Sequence, residues 1–255
     1  MPAADAHSQG ADDTPVALIT PPAQTGQPGQ PGRRLPALGA LAGIAGPVML
    51  AAYFAVPALV HWPYAGASPG ELVTYATAHR LLFFGGGWLQ ATGALLSILF
   101  FLVLLQLSGA RNTLAGAAVL TGCALLLSTV VIEAALLEAV PIAAGNGDQA
   151  TVATTFALSN GVFSRIFPLA PAPLVFAGIG FALSGAGILP RLFARTALLF
   201  SALFLVAGLA AVFATAGLIL AIVMSVAEAV WTAAAAIALA RATARRSRRR
   251  QPAMG

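Results

Sequence analysis

Lysine is absent from this chain of 255 residues, and all 13 basic residues are arginine. Together with abundant alanine and glycine, that usage suits a GC-rich bacterial coding sequence and says nothing of mechanism. Cysteine is reduced to Cys123, so no internal disulfide can form, and a two-thiol redox centre or zinc-thiolate site is excluded. Charge of either sign is scarce: Asp, Glu and Arg make up 8% of the residues, against roughly one quarter in soluble domains. Hydrophobic residues make up 59%, and the mean hydropathy is +0.88. This composition belongs to an integral membrane protein. Catalytic signatures are missing too: there is no GxSxG, HExxH, P-loop, GxGxxG or aspartate-rich magnesium-pyrophosphate motif. An enzyme would have to work with scattered Glu and His, so the expectation is a non-enzymatic protein without metal or cofactor.

Residues 1–36 are rich in Pro, Gln and Gly ("PPAQTGQPGQPG") and lack an apolar period, which predicts a disordered cytoplasmic tail. Six apolar segments follow, at about 37–60, 82–107, 113–140, 166–188, 194–213 and 217–240, each near the ~20 residues that a bilayer demands. From Thr196 to Ala240 the only charge is Glu228. One helix of that length would span on the order of 65 Å, about twice the hydrocarbon core, so the chain must turn back, and "FATAG" at 213–217 offers the break. The first segment is preceded by "RR" and followed by "AVPA", as in an export signal, but its ~24 apolar residues exceed the 7–15 of a signal core.

Arginine placement tests this count. With six spans and an inner N-terminus, Arg33, Arg34, Arg111, Arg191, Arg195 and the cluster Arg241, Arg245, Arg246, Arg248, Arg249 and Arg250 all face inward, and only Arg80 and Arg165 face outward. That asymmetry follows the positive-inside rule. The fold class is therefore all-α, a polytopic six-helix bundle with both termini cytoplasmic, multi-pass in a bacterial plasma (inner) membrane; its domain covers 37–240, followed by an Arg-rich cytoplasmic tail, 241–255. Two short helices are expected at the outer surface. "SPGE", Ser68 to Glu71, is a capping box leading into "PGELVTYATAHR", and "GNGDQATVATTFALSNGVFSRIF" begins with turn residues before a mixed apolar and small-polar stretch.

Three acids fall within the spans, where an ionisable group is a functional hypothesis by default. Glu228 lies near the midplane with no cation in any span to neutralise it. One account makes it a neutral structural acid, hydrogen-bonded by Ser225 and Thr232 on the same helical face; the other makes it a proton or cation site. Glu133 lies roughly 9 Å outward of its span's centre and Gln90 roughly 7 Å outward in the preceding span, so a Gln90–Glu133 bond would tie that hairpin together. Glu138, about 140° further around the helix than Glu133, belongs to the outer interface and is expected to pair with Arg80, Arg165 or His79. His61 and His79 lack the companions of a metal site and fit an interfacial belt.

Gly46-Pro47 in the first span and Pro168, Pro171 and Pro173 in the fourth are helix breakers in corresponding positions of a three-plus-three arrangement, a pointer to a transporter site. "GALAG", Gly39 to Gly43, permits close helix contact. The C-terminal arginines should attract anionic lipid headgroups at about 1 kcal/mol each, or anchor the topology. The bilayer is thus the expected partner, with a second copy or another membrane protein admitted and nucleic acid not expected.

Three segments, "SPGELVTYATAHR", "GNGDQATVATTFAL" and "SGAGILPRLFARTALLFSALFLVAGLA", resemble a family of bacterial multi-pass membrane proteins of unknown function. That resemblance implies a helical membrane fold and no activity. The residues lead first to a structural or accessory membrane protein, and second to a small secondary transporter or proton-coupled permease working through Glu228.

Overall fold

The computed structural model describes residues 31–59, 63, 67–213 and 217–249. Among these, all regular structure is helical: α1 Pro31–Leu59, α2 Pro69–Ala78, α3 Arg80–Ser108, α4 Leu114–Gly145, α5 Gln149–Gly161, a π-helical turn Val162–Ile166, α6 Phe167–Leu169, α7 Pro171–Ala186, α8 Arg191–Phe213 and α9 Gly217–Arg249. Six helical runs are long and apolar enough to cross a membrane. The chain is a polytopic bundle.

Local chemistry accounts for the element ends. Ser68 and Glu71 close a reciprocal box at the start of α2, with the Glu71 N–H donating to Ser68 Oγ (3.3 Å) and the Ser68 N–H donating to Glu71 Oε2 (2.7 Å). Gly109 ends α3 at φ +72°, a conformation glycine adopts without a Cβ penalty, and Thr113 Oγ1 caps α4 by accepting from the Gly116 N–H. α8 ends at Phe213 and α9 begins at Gly217, either side of residues 214–216, which lie outside the described residues.

Several boundaries differ from those expected. Helix α1 starts at Pro31, inside the segment assigned to the tail, because proline suits the first helical position, where an N–H has no acceptor. It also runs unbroken through Gly46-Pro47. At the other end, α9 continues to Arg249 instead of stopping at 240, since alanine and arginine are both strong helix formers. The expected tail residues 1–30, the outer stretch around His61, and the side chains of Arg246, Arg248, Arg249 and Arg250 lie outside the described residues.

Helix α4 has 32 residues, about 48 Å of helix, so it outruns a ~30 Å hydrocarbon core. On its outer end, Val140, Ala143 and Ala144 share a buried cluster with Val152 and Phe156 of α5 and Leu72 and Ala76 of α2. The two short helices are thus a packed outer cap. The larger core lies between α3, α4, α7, α8 and α9 around Phe100, Phe101, Phe176 and Phe204.

Its tightest seam joins α4 to α7. A Cβ on Gly178 would lie 2.7 Å from the Ala115 carbonyl oxygen, and one on Gly122 would lie 2.8 Å from the Val175 nitrogen. Absent side chains on both partners let the backbones touch, the usual route to association where lipid is as apolar as leucine.

The fourth crossing is the irregular one. Pro168, Pro171 and Pro173 each lack an N–H, which deprives the carbonyls four residues earlier of their donors. The helix answers by widening into the π turn at Val162–Ile166, closed by the Phe167 N–H donating to the Val162 carbonyl, and by breaking at Ala170 (φ −128°, ψ −64°). Ser201 Oγ of α8 donates to the Pro173 carbonyl at 2.9 Å, bracing α7 from outside. The run Gln149–Ala186 is therefore one interrupted crossing with its outer cap attached.

Candidate functional site

The π turn faces a cavity of about 50 Å³ as swept by the centre of a water molecule, room for a few waters at roughly 10–15 Å³ each. Helix α4 presents Leu126, Thr129, Val130 and Glu133 to it, spaced i, i+3, i+4 and i+7 on one face. Helix α3 supplies Gln90, Ala94 and Ser97, with the same helical logic, and α9 supplies Ser225 and Glu228. Leu50 and Phe54 of α1, Phe163 of the π turn and Phe167 of α6 complete the wall. Their rings are in series: Phe54 to Phe163 at 5.6 Å, then Phe163 stacked on Phe167 at 6.2 Å.

Helix α1 reaches the site by direct contact with α3. A Cβ on Gly46 would lie 2.7 Å from the Gly93 carbonyl and 2.6 Å from Ser97 Oγ. In this span the glycine beside Pro47 is a contact point and not a break. Gly39 and Gly43 extend the contact, facing Val103 and Phe100.

Glu133 and Glu228 therefore open onto the same space, although they lie on different helices and the sequence offered no reason to join them. Their environments differ. Glu133 is 3% exposed and accepts from Gln90 Nε2 at 2.6 Å, across α3 and α4. Tyr53 of α1 is within electrostatic range of it. Glu228 is 9% exposed, and neither Ser225 nor Thr232 hydrogen-bonds to it: Ser225 Oγ donates to the Ala221 carbonyl (2.8 Å), and Thr232 Oγ1 has no partner among the described residues. For Ser225 the i−4 carbonyl is the nearer acceptor, which is why that local pairing does not form; the structure gives no such reason for Thr232. Trp231, next along α9, turns the other way and donates from Nε1 to Thr196 Oγ1 of α8 at 2.8 Å.

Glu138 is elsewhere. It is half-buried against Gly87, whose added Cβ would lie 2.9 Å from Glu138 Oε1. Arg80 is exposed above the Phe84 ring at 5.5 Å, and Arg165 is exposed on the π turn, so the structure pairs neither with Glu138. His79 caps the end of α2 and packs on Tyr75 at 4.5 Å. Arg241 and Arg245 are exposed at the inner end of α9.

Outside the spans, two acids are held below the usual carboxylate range. For Glu71 the cause is the Ser68 N–H, and for Asp148, the cap of α5, the Thr151 hydroxyl and N–H. Among the described residues no three His, Cys, Asp or Glu side chains converge.

Phe163, Phe167, Ser97 and Thr129 were not singled out from the sequence. Thr129 was recoverable, since Leu126-Thr129-Val130-Glu133 is a visible stripe; the phenylalanines were not, because their direction depends on the π turn. The chain matches no model of a known protein family, no curated protein and no solved structure. The three segments that resemble a family of unknown function therefore carry no membership and no role.

Proposed function

We propose that this protein is a small proton-coupled permease of the bacterial inner membrane, with both termini cytoplasmic and Glu228 as the proton carrier. The observation that supports it is the shared cavity: two carboxyls from separate helices, no basic residue among the described residues of the lining, and a π turn alongside. Burying a carboxylate in low dielectric is costly, so an acid that faces this space carries a proton that a change in hydration can release. Glu228, with no hydrogen-bond donor among the described residues, keeps its proton until water reaches it, while the Gln90 amide holds Glu133 in place. A π turn is a frequent device at functional sites because its extra residue is easily shifted between registers. A cavity next to a buried acid is, by contrast, unfavourable for a purely structural bundle, where close packing would contribute more stability.

A second reading, a non-enzymatic structural or accessory protein, is favoured by the Gln90–Glu133 bond, which ties α3 to α4. Labelling by a hydrophobic carbodiimide, mapped by mass spectrometry on protein in liposomes, separates the two, because the reagent modifies protonated carboxyls in apolar surroundings. The permease reading expects Glu228 to label, less so as pH rises, with Glu228→Gln as the blank. An unlabelled Glu228 in folded protein across the whole pH range favours the structural reading.

A further inference from the structure

We infer that the cavity between α3, α4 and α9 is a binding site for a small monovalent cation, of sodium or ammonium size, which competes there with the proton. The inference rests on the permease reading and names its cargo.

The hydrogen-bond inventory carries the argument. Ser97 Oγ donates its proton to the Gly93 carbonyl (3.0 Å), and Ser225 Oγ donates its own to the Ala221 carbonyl (2.8 Å). Each hydroxyl has therefore spent its proton and has only lone pairs left to offer. Gln90 uses its Nε2 on Glu133, and its Oε1, in a residue 4% exposed, has no partner among the described residues. An ionised carboxylate adds two acceptor oxygens. Three helices thus present oxygen acceptors to one space, with Thr129 as the remaining hydroxyl. Most of the wall is apolar, from Leu50 and Phe54 to Phe163 and Phe167, and its few polar atoms are oxygens; oxygens without a donor are satisfied by a cation or by a multiple donor, and an all-oxygen set selects hard cations.

Charge and size narrow the class. With one carboxyl ionised the space carries a single negative charge, which a monovalent ion neutralises and a divalent one overshoots in a medium that tolerates no excess. A space of about 50 Å³ admits one small ion with a water or two, at roughly 10–15 Å³ per water, and not a bulky organic ammonium. Among the described residues Tyr53 of α1 is the titratable group within electrostatic range of Glu133, and Glu138 lies away from the cavity against Gly87. Arg165 of the π turn is exposed and contributes no neutralising charge to the lining. The cation and the proton therefore contend for the same charge.

The test is protection of carbodiimide labelling in the full-length purified protein, at fixed pH and matched ionic strength, with sodium, potassium, ammonium or choline chloride. The expected result is that at least one of the three small cations lowers Glu228 labelling severalfold while choline does not, and the salt that protects identifies the ion. Ser97→Ala and Ser225→Ala keep both carboxyls and should weaken that protection at least about tenfold, as loss of groups supporting an ion site does. Labelling that rises and falls with pH but ignores all four salts, or is lowered equally by choline, overturns the cation site and leaves the proton reading standing. If Glu228 fails to label without any salt, both fall together.

Discussion

One face of α4 lives in two surroundings. Along its inner half, Ala115, Val119 and Gly122 meet α7 so closely that a single added methyl has nowhere to go. Along its outer half, the same stripe continues as Leu126, Thr129, Val130 and Glu133 and borders a cavity. The stripe does not change its period; the neighbour changes. Toward the inside the chain opposite is a regular α-helix with glycines at the contact, and toward the outside it is a π turn with a break at Ala170. Prolines placed a few residues apart convert a sealed seam into an open one, and the acid sits where the seam opens.

Gly178→Val should break the contrast most severely. With a carbonyl oxygen 2.7 Å from the new Cβ, α4 and α7 must part, and the loss should reach at least the upper part of the roughly 1–3 kcal/mol of overpacking. Thermal unfolding in detergent measures it. Thr129→Val, further along the stripe and facing the cavity, should cost about 1 kcal/mol or less in the same assay. Equal effects would mean that the two halves of α4 are packed alike.

The two acids offer a second contrast. Gln90→Leu removes the donor to Glu133 and leaves a buried acceptor unsatisfied, so it should destabilise by about 1–3 kcal/mol. Glu228→Gln breaks no hydrogen bond seen here and should leave the melting temperature nearly unchanged while abolishing carbodiimide labelling. If the order is reversed, Glu228 is the structural acid.

On the far side of α9, Trp231→Phe keeps the ring packed near Phe176 and Phe193 but deletes the bond to Thr196, for about 0.5–1.5 kcal/mol. A smaller change would show that aromatic packing, not the hydrogen bond, joins α8 to α9.

The smallest effect concerns the outer cap. Glu71 and Asp148 have folded-state pKa values below their unfolded ones, so the stability they lend is present above the ordinary carboxylate range and fades as pH falls through their depressed values. Amide exchange at the first turns of α2 and α5 should quicken on acidification, with the α4/α7 seam unchanged. Asp148→Asn should remove that pH dependence from α5 alone. Exchange that is indifferent to pH at both caps would contradict the assignment.

Much of this was legible before any coordinates. Apolar run length and arginine asymmetry reflect the thickness and field of a bilayer, which act on each segment separately, so six crossings and the capping box at Ser68 could be read directly. The depth match of Gln90 and Glu133 was also readable, because a short link between two helices fixes which heights face each other. Gly46-Pro47 was misleading: proline without its N–H can end a helix or be carried through one, and the neighbour decides. In α1 the glycine lies against α3 and the helix continues.

The residues alone determined that this is a multi-pass helical membrane protein with an acid inside its last long apolar run, because hydrocarbon screens every residue by cost regardless of what packs beside it. Only the tertiary structure decided that Glu133 and Glu228 share one cavity, that Ser225 and Thr232 leave Glu228 without a bond, and that Phe163 and Phe167 line the wall. Those facts depend on how helices far apart in the chain rotate about their axes. Rotation is set by side chains and backbone meeting across the interface, by Gly46 on Gly93, Gly122 on Val175 and the π turn beside them, and none of those meetings is written in any one segment.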